Sequence, residues 1–330
     1  MTTNQKKEVD APYVQKVDDV EGGEFTPTVK SYNNQKFLRS SQGRLIRILC
    51  EFEEPAGRLR RHHIRSTVLV FGSARSMTAE EHRRTVQKHE AAIATATSSE
   101  ERARCEHELQ RLRSTQWMSE WMEVVHELSR KVAEFASAEK YLVNNSFTHL
   151  PDYFRPNLSE LNKDASMTLM DDEFHDLVVT TGGGPGFMEA ANKGAASVPG
   201  TKTMGMGISL PFEKGLNQYV SNDLAFEFHY FFTRKFWMMY SCRAIVIAPG
   251  GFGTLDEMFE LLTLRQTKKI PEIPIVLLCS KFWRKVVNWE ALVEFGTVSK
   301  EDVTSLCFAD TADEALSFIK NFFAQSGQFS

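Results

Sequence analysis

The chain has 330 residues, with 39 Lys and Arg against 43 Asp and Glu, and a formal net charge of -4 at pH 7. Hydrophobic residues make up 42% and charged residues 25%, which excludes a disordered chain, a coiled-coil rod and a protein that binds nucleic acid by bulk positive charge. Apolar runs fall short of the roughly 18 residues of a membrane-spanning helix, and the start MTTNQKKEVDAP lacks the apolar core of a signal peptide. We therefore expect a cytoplasmic protein that binds neither membrane nor nucleic acid.

The cysteines and histidines do not predict a metal site. The five cysteines are scattered along the chain without a C-x-x-C pair: Cys50, Cys105, Cys242, Cys279 and Cys307. This pattern is typical of small hydrophobic residues in a reducing compartment. The nine histidines form no H-E-x-x-H motif. We expect neither a metal nor a cofactor.

The first part of the chain predicts an arm, a helix and a strand. Residues 1–40 are polar and without periodicity, so we predict a flexible arm, followed by one domain over residues 41–330. A helix is predicted from Leu45 to Glu54, ending before a proline that would interrupt it. The apolar run TVLVF (67–71) then leads into Gly72 and Ser73, the pattern of a buried parallel strand that enters a turn.

Residues 79–113 differ from their surroundings, because they are rich in Ala, Glu and Arg with balanced charge. Ser98 and Glu101 form a possible capping box that would begin a second helix, so the segment predicts an inserted helical hairpin. The next helix carries apolar residues spaced by three and four, and we expect them in the core: Trp117, Trp121, Val125, Leu128, Val132 and Phe135. Residues 142–173 are irregular and polar, and predict a loop insertion.

The second half alternates short apolar runs with amphipathic segments. The strands are predicted at DLVVTT (176–181), TMGMGISLP, AIVIAPGG and PIVLLC, while FEFHYFFTRKFWMMYSC (226–242) and FWRKVVNWEALVEF each predict one helix. Such alternation favours βαβ units. The predicted fold is α/β, a Rossmann-like doubly wound parallel sheet with helices on both faces and the hairpin inserted.

Two glycine clusters follow predicted strands. GGGPG (182–186) comes directly after DLVVTT, and PGGFGTLDE (249–257) comes directly after AIVIA. Backbone N–H groups at a helix start bind phosphate well, and ligands bind at the carboxyl ends of parallel strands. A tight turn without ligand is the alternative for each. Neither cluster fits G-x-G-x-x-G or is followed by a Walker lysine, which argues against dinucleotide and P-loop sites.

Two groups of basic residues remain open to two interpretations each. Arg234 and Lys235 lie within the predicted buried helix, where a cation needs an anionic partner. They form either an internal salt bridge or a snorkelling surface pair, or else a clamp on a phosphate-bearing ligand. The segment RLRRHHIR (58–65) is either a nucleic-acid patch or a solvated or subunit-facing edge. The negative net charge and the missing aromatic platform favour the edge.

GGGPGFMEAANKG, the Arg234-Lys235 pair and PGGFGTLDE together resemble the LOG (Lonely Guy) family, and PGGxGTxxE is matched at every position. The resemblance covers about residues 44–76 and 174–324 and is closest to the longer branch. Members are nucleoside 5′-monophosphate phosphoribohydrolases, many of them labelled lysine decarboxylases. It implies release of free base and ribose 5-phosphate from an AMP-like or cytokinin riboside 5′-monophosphate, by a homodimer or larger homo-oligomer. No lysine lies in a setting that predicts pyridoxal phosphate.

The resemblance implies site residues. Arg234 and Glu257 would be essential to the chemistry. Together with the turns at the strand ends, it implies substrate-binding positions at Gly72, Ser73, Gly183, Gly184, Gly186, Glu213, Lys235, Gly250, Gly251, Phe252, Gly253, Thr254 and Thr263. Phosphate on the helix start and Glu257 near the ribose would suit N-glycoside hydrolysis.

Two questions stay open in the sequence. Thr254 and Glu257 also fit a T-x-x-E capping box, in which the glutamate only caps the helix. The alternative function is a non-catalytic nucleotide-binding or carrier protein on the same fold, since a fold alone does not imply catalysis.

Overall fold

The computed structural model describes residues 28–138, 177–209 and 215–326. The chain divides into two compact units, residues 1–53 and 54–330. The predicted loop insertion over 142–173 lies outside the described residues, as do residues 1–27 of the predicted arm and the candidate Glu213.

The described part of the first unit is helical. A 3-10 turn (Ser31–Asn33) precedes helix α1 (Gln35–Arg39), and helix α2 (Arg44–Arg61) begins after a short bend. The Asn34 side chain accepts a hydrogen bond from the backbone N–H of Phe37 and so caps α1. Residues 31–39, predicted as part of a flexible arm, therefore have local hydrogen-bonded structure.

The prediction that the helix ends before Pro55 is wrong, because α2 continues to Arg61 with the proline inside it. Pro55 costs the helix one N–H bond, but its side chain is buried. One turn later, Arg58 binds the Glu54 carboxylate through Nε at 2.7 Å and lies over the ring of Phe226, 4.3 Å from its centroid. These contacts stabilise α2 enough to overcome the tendency of proline to end a helix.

Within the described residues, the second unit is built on a parallel seven-stranded sheet. Its strands are β1 (Thr67–Phe71), β2 (Val178–Thr181), β3 (Thr203–Ile208), β4 (Ala225–Phe228), β5 (Cys242–Ile247), β6 (Ile275–Leu278) and β7 (Leu306–Ala309). The order is β4-β3-β2-β1-β5-β6-β7, and every neighbouring pair is parallel. The direction of winding reverses between β1 and β5, which makes that point the ligand crevice expected of a doubly wound sheet. The predicted fold class is confirmed.

Helices connect the strands. The hairpin is α3 (Ala79–Thr95) and α4 (Ser99–Thr115), followed by α5 (Met118–Ala138), α6 (Phe187–Ala196), α7 (Phe231–Tyr240), α8 (Phe252–Gln266), α9 (Ser280–Val286), α10 (Trp289–Glu294), α11 (Lys300–Thr304) and α12 (Ala312–Ser326). Ser98 accepts a hydrogen bond from the N–H of Glu101 at 3.1 Å and begins α4 as predicted. The Glu101 carboxylate, however, accepts from the N–H of Thr97 at 3.2 Å, so the predicted capping box is shifted by one residue.

The core lies on both faces of the sheet. Alternate residues of β1 enter the two clusters, Val68 and Val70 on one face, Leu69 and Phe71 on the other. The first cluster contains the buried stripe of α5 and the last helix. The stripe prediction holds for Val125, Leu128, Val132 and Phe135, while Trp121 is partly buried against the cluster. It is wrong for Trp117, which precedes α5, is 41% exposed and stacks on Phe282.

The prediction of one buried helix over residues 226–242 is wrong. The segment divides into β4 and α7, because Phe226 and Phe228 alternate with the exposed Glu227 and pair along β3. Phe231 and Phe232 at the start of α7 are exposed. Similarly, FWRKVVNWEALVEF forms two helices, since Asn288 caps the second one by accepting from the N–H of Ala291.

In the described part of the chain, no helix is both long and apolar enough to cross a membrane. Nor do the described residues contain a cluster of three or more His, Cys, Asp or Glu side chains that could hold a metal ion.

Candidate active site

Three turns meet at the carboxyl edge of the sheet, after β1, β2 and β5. Ser73 joins them, because its N–H donates to the Pro249 carbonyl at 3.0 Å and its carbonyl accepts from the N–H of Phe187 at 3.3 Å. Gly72 packs against Phe187 so closely that a Cβ would lie 2.8 Å from that side chain. The two glycine clusters are therefore held together by the predicted turn at Gly72 and Ser73, at the point where the winding reverses.

The turn after β2, which we call the first glycine turn (residues 182–186), needs glycine for its conformation. Gly183 and Gly186 have φ values of 73° and 70°, a region that other L-residues rarely adopt. A side chain at Gly186 would also overlap the carbonyl of Ser73. The backbone here is fixed by close approach to the neighbouring turn.

A buried polar network holds the first glycine turn from below. Thr181 accepts from the N–H of Gly183 at 2.8 Å and donates to Asn192 Oδ1 at 2.7 Å. Asn192 donates to Thr203, and Asn217 Nδ2 donates to both Asn192 Oδ1 (2.9 Å) and the Gly183 carbonyl (3.1 Å). Sequence analysis missed these residues, although Asn192, which follows two alanines in α6, was the available signal. The network uses both polar groups of Gly183 and so fixes the conformation of the first glycine turn.

The turn after β5, the second glycine turn (residues 249–254), is open in contrast. Helix α8 begins at Phe252 with Gly251 as its N-cap and has no side-chain cap. Among the described residues, no acceptor is bonded to the N–H groups of Phe252, Gly253 or Thr254. A Cβ at Gly251 or Gly253 would meet nothing within 4 Å. This helix start can therefore accept an anion from solvent.

Arg234 is buried between the two turns. Only 8% of the residue is exposed. Its Nε donates to the Met206 carbonyl on β3 at 2.7 Å, and its Nη1 lies 3.1 Å from Oε1 of Glu257 on α8. The guanidinium also lies against Gly182, where a Cβ would be 2.5 Å from Nη2. Arg234 thus contacts Gly182 after β2 and Met206 on β3, and links both to α8, the helix that begins in the second glycine turn.

The position of Glu257 excludes the capping-box interpretation. Because α8 starts at Phe252, Thr254 is its third helical residue and not its N-cap, and Glu257 lies deeper in the helix. The carboxylate instead binds Arg234. Burial raises the pKa of Glu257, and the positive charge of Arg234 opposes that effect. The charge of Lys235 opposes burial as well, but burial dominates and the pKa of this carboxyl stays above its ordinary value.

Lys235 faces other carboxylates. Its Nζ lies 2.7 Å from Oδ2 of Asp256 and 2.7 Å from Oε2 of Glu260. Burial lowers the pKa of Lys235, but the hydrogen bonds to Asp256 and Glu260 outweigh burial and raise it. The internal salt bridge, one of our two interpretations for this pair of cations, applies to both residues. Lys235 is therefore not free to bind a phosphate in this structure.

Two predicted binding residues are not brought to this site. Thr263 lies six residues beyond Glu257 on α8, about 9 Å further along the helix axis. Its hydroxyl donates to the Phe259 carbonyl at 2.8 Å. Phe252 starts the helix, but its ring is 92% exposed, so its contribution to the second glycine turn is its backbone N–H.

The comparison with protein families concerns the second half of the chain. The segment 188–319 matches the model of the family described as possible lysine decarboxylase, which is the LOG family. The matched segment includes Arg234, Glu257 and the second glycine turn, and it begins just after the first glycine turn.

Other comparisons are less informative. No curated protein matches the sequence. Among solved structures, the chain is similar to the molybdenum cofactor binding protein from the phototrophic bacterium Rippkaea orientalis, with 16% sequence identity and a TM-score of 0.35, over 61% of this chain and 87% of that one.

The name lysine decarboxylase implies a pyridoxal phosphate that forms a Schiff base with a lysine. A Schiff-base lysine reacts as the neutral amine, with a lowered pKa. The lysine next to the Arg234–Glu257 pair is Lys235, which is bound to two carboxylates and has a raised pKa. The residues around the pair do not fit this cofactor.

Proposed function

We propose that this chain hydrolyses the N-glycosidic bond of a nucleoside 5′-monophosphate, of the AMP or cytokinin riboside type, to the free base and ribose 5-phosphate. One observation carries the proposal: the buried Arg234–Glu257 pair lies directly beside the open start of α8. The match to the LOG family supports an enzyme of the phosphoribohydrolase class or one related to it.

The 5′-phosphate would bind the free N–H groups of Phe252, Gly253 and Thr254. The partial positive charge at a helix start favours a dianion. Since Lys235 is already neutralised by Asp256 and Glu260, these N–H groups supply most of the attraction. Glu257 lies four residues after Gly253, about 6 Å along the helix axis. A ribose attached to the bound phosphate can therefore bring its anomeric carbon to the carboxylate.

The reaction needs stabilisation of positive charge on the ribose. The C1′–N bond breaks, its electron pair goes to the base, and the ribosyl group becomes an oxocarbenium-like cation. The Glu257 carboxylate stabilises that cation and accepts a proton from the attacking water, whose oxygen bonds to C1′. The departing base takes up one proton from solvent. Arg234 keeps Glu257 ionised and oriented, which preorganises the negative charge before the cation forms.

The test is release of free base from a panel of 5′-monophosphates and the matching nucleosides, measured by chromatography. We expect base and ribose 5-phosphate in equal amounts from the 5′-monophosphates. The alternative, a nucleotide-binding or carrier protein, would bind the same compounds without releasing base. Binding without release in every member of the panel would therefore replace the enzyme with the carrier.

We also propose that the chain forms a homodimer or larger homo-oligomer through the surface beside this site. Four exposed phenylalanines lie at the starts of α7 and α8 or about two turns into α8: Phe231, Phe232, Phe252 and Phe259. The ion pairs of Lys235 with Asp256 and Glu260 join these two helices. Exposed apolar surface of this kind favours association with another protein surface.

A further inference from the structure

The turn after β1 lies between the two glycine turns and carries Arg75. The Ser73 N–H donates to the Pro249 carbonyl at 3.0 Å, so this turn is bonded directly to the second glycine turn. On its other side it packs on the first glycine turn, since a Cβ at Gly186 would overlap the Ser73 carbonyl and lie 2.7 Å from Ser76 Oγ. Arg75 is therefore placed at the point where the direction of winding reverses, the usual ligand crevice of a doubly wound sheet.

The backbone of Arg75 is held in this turn by hydrogen bonds. Its N–H donates to Ser73 Oγ at 3.1 Å, and Ser76 Oγ donates to the Ser73 carbonyl at 3.0 Å. Ser76 is only 4% exposed, so it anchors the turn next to Arg75. Two residues of chain span at most about 7 Å. The Arg75 backbone therefore lies close to the hydrogen bond that joins Ser73 to Pro249.

The side chain of Arg75 is exposed. Within the part of the chain that the structure describes, its guanidinium has no ion-pair or hydrogen-bond partner. Arg234 and Lys235, the two cations on α7, are in contrast both bound to carboxylates. The charge of Arg75 is thus available to a ligand, whereas the charges of the other two are already compensated.

The charged side chains around α8 leave a bound phosphate short of positive charge. Arg234 and Lys235 face the carboxylates of Asp256, Glu257 and Glu260. Two cations against three carboxylates give this group a net charge of -1. The start of a helix contributes only about half a positive charge. A phosphate dianion at this position therefore needs a further cation to offset the repulsion.

We infer that Arg75 binds the 5′-phosphate of the substrate and supplies the full positive charge that the open start of α8 lacks. The inference rests on the proposed function and adds a binding residue to its site. A guanidinium donates two parallel hydrogen bonds to phosphate oxygens, and the free N–H groups at the helix start remain for the other oxygen. Because Arg75 touches only the phosphate, it contributes to the binding of a nucleotide and not of a nucleoside.

The experiment measures kcat/KM for AMP and for adenosine in wild-type protein and three variants. Arg75→Ala should lower the AMP value at least about tenfold, as for a lost hydrogen bond to a charged group, and leave the adenosine value within about twofold. Arg75→Lys keeps the charge without the paired donors and should retain part of the AMP value. Arg84→Ala is the matched control, because it removes the same charge from an exposed arginine of α3 that is bound to Glu80. It should leave both values unchanged.

The loss in Arg75→Ala should appear in KM more than in kcat, since the phosphate contact is the same in the ground state and the transition state. A structural role for Arg75 would lower the AMP and adenosine values together. A general effect of net charge would lower the AMP value equally in Arg84→Ala. Either of these results, or an unchanged AMP value in Arg75→Ala, would overturn the inference.

Binding measurements separate this inference from the proposed function. AMP, adenosine and inorganic phosphate are titrated into Glu257→Gln, with and without Arg75→Ala. If wild-type protein releases no base, but Arg75→Ala weakens AMP and phosphate at least about tenfold and leaves adenosine unchanged, the Arg75 inference stands and the hydrolase does not. If base is released and AMP binds equally with and without Arg75, the Arg75 inference alone is overturned. Failure of AMP to bind either protein overturns both.

Discussion

The guanidinium of Arg234 lies 3.1 Å from the carboxylate of Glu257, and the two side chains are only 10% and 14% exposed. The partners are 23 residues apart and come from different helices. Each compensates the charge of the other in a buried setting, because a lone buried charge is costly. The catalytic proposal and the stability of the site therefore depend on the same contact.

Glu257→Gln tests the charge of the carboxylate with little change of shape. Glutamine keeps an oxygen that accepts from Arg234, so the variant should fold and bind nucleotide. Because it cannot stabilise the ribosyl cation, kcat should fall by at least about a hundredfold. Base release and a nucleotide titration on the same sample measure the two effects.

Asp256→Asn is the matched control for this variant. Asp256 is the preceding residue, is 62% exposed and binds Lys235 instead of Arg234. Its kcat should remain within about threefold of wild type, as expected for loss of an exposed pair. A similar large loss in both variants would assign the effect to the general charge of α8.

Arg234→Ala should destabilise the protein as well as inactivate it. The change removes the donor to the Met206 carbonyl and leaves Glu257 unpaired, so the free energy of unfolding should fall by about 3 kcal/mol. Adding Glu257→Gln to Arg234→Ala should restore part of that loss, because the uncompensated charge disappears. Urea titration of the two single variants and the double variant checks the coupling. Strict additivity would mean that the contact contributes nothing to folding.

The pH profile should reflect the raised pKa of Glu257. Burial raises this pKa above its ordinary value of 4.5, despite the opposing charge of Arg234. The ionised form is the active one, so log kcat/KM should fall with acid at a midpoint above pH 4.5. The pH dependence of stability has the opposite direction to that of activity. A raised folded-state pKa favours folding below pH 4.5, and this contribution is lost as the pH rises through the folded-state value.

The stability part of this prediction has its own measurement. Glutamine does not titrate, so the difference in the free energy of unfolding between wild type and Glu257→Gln should vary with pH in that interval. A difference that stays constant from pH 4 to pH 8 would contradict the raised pKa.

Loss of the 5′-phosphate should abolish most of the activity. In the proposed site the dianion would bind the free N–H groups at the start of α8, and a nucleoside would have no substitute for that contact. We expect kcat/KM for AMP to exceed that for adenosine by at least about a hundredfold, since charge-assisted hydrogen bonds are strong. Inorganic phosphate should inhibit competitively against AMP. Equal cleavage of adenosine and AMP would rule out the second glycine turn as the phosphate site.

A charge on the exposed phenylalanine surface should break the proposed oligomer. Phe259→Asp places a carboxylate on that surface, beside Lys235 and its partners, and should lower the molecular mass measured by sedimentation. Phe295→Asp is the control, because Phe295 is also strongly exposed but follows α10. A monomeric wild-type protein, or an equal effect of both changes, would contradict the proposal.

The sequence by itself determined the α/β class, the two glycine turns and the candidates Arg234 and Glu257. Alternating apolar runs and glycines directly after strands are local patterns, and the turns they predict lie at one sheet edge because all strands are parallel. The predictions for Pro55 and for residues 226–242 were wrong. There, burial of Pro55, Phe226 and Phe228 against distant residues outweighed local preference.

The pairing of the site residues follows from contacts between distant parts of the chain. Sequence analysis left Glu257 between a cap and a catalytic role, and Arg234 and Lys235 between salt bridges and a phosphate clamp. The start of α8 at Phe252 removed the cap, and the packing of α7 against β3 directed Arg234 towards Glu257 and Lys235 towards Asp256 and Glu260. Likewise, Asn217 fixes the conformation of the first glycine turn, and its hydrogen bond to Asn192 joins residues that are 25 positions apart in the sequence. The physical reason is that a charged or polar side chain takes its partner from whatever folding buries beside it, and spacing along the chain does not encode that neighbour.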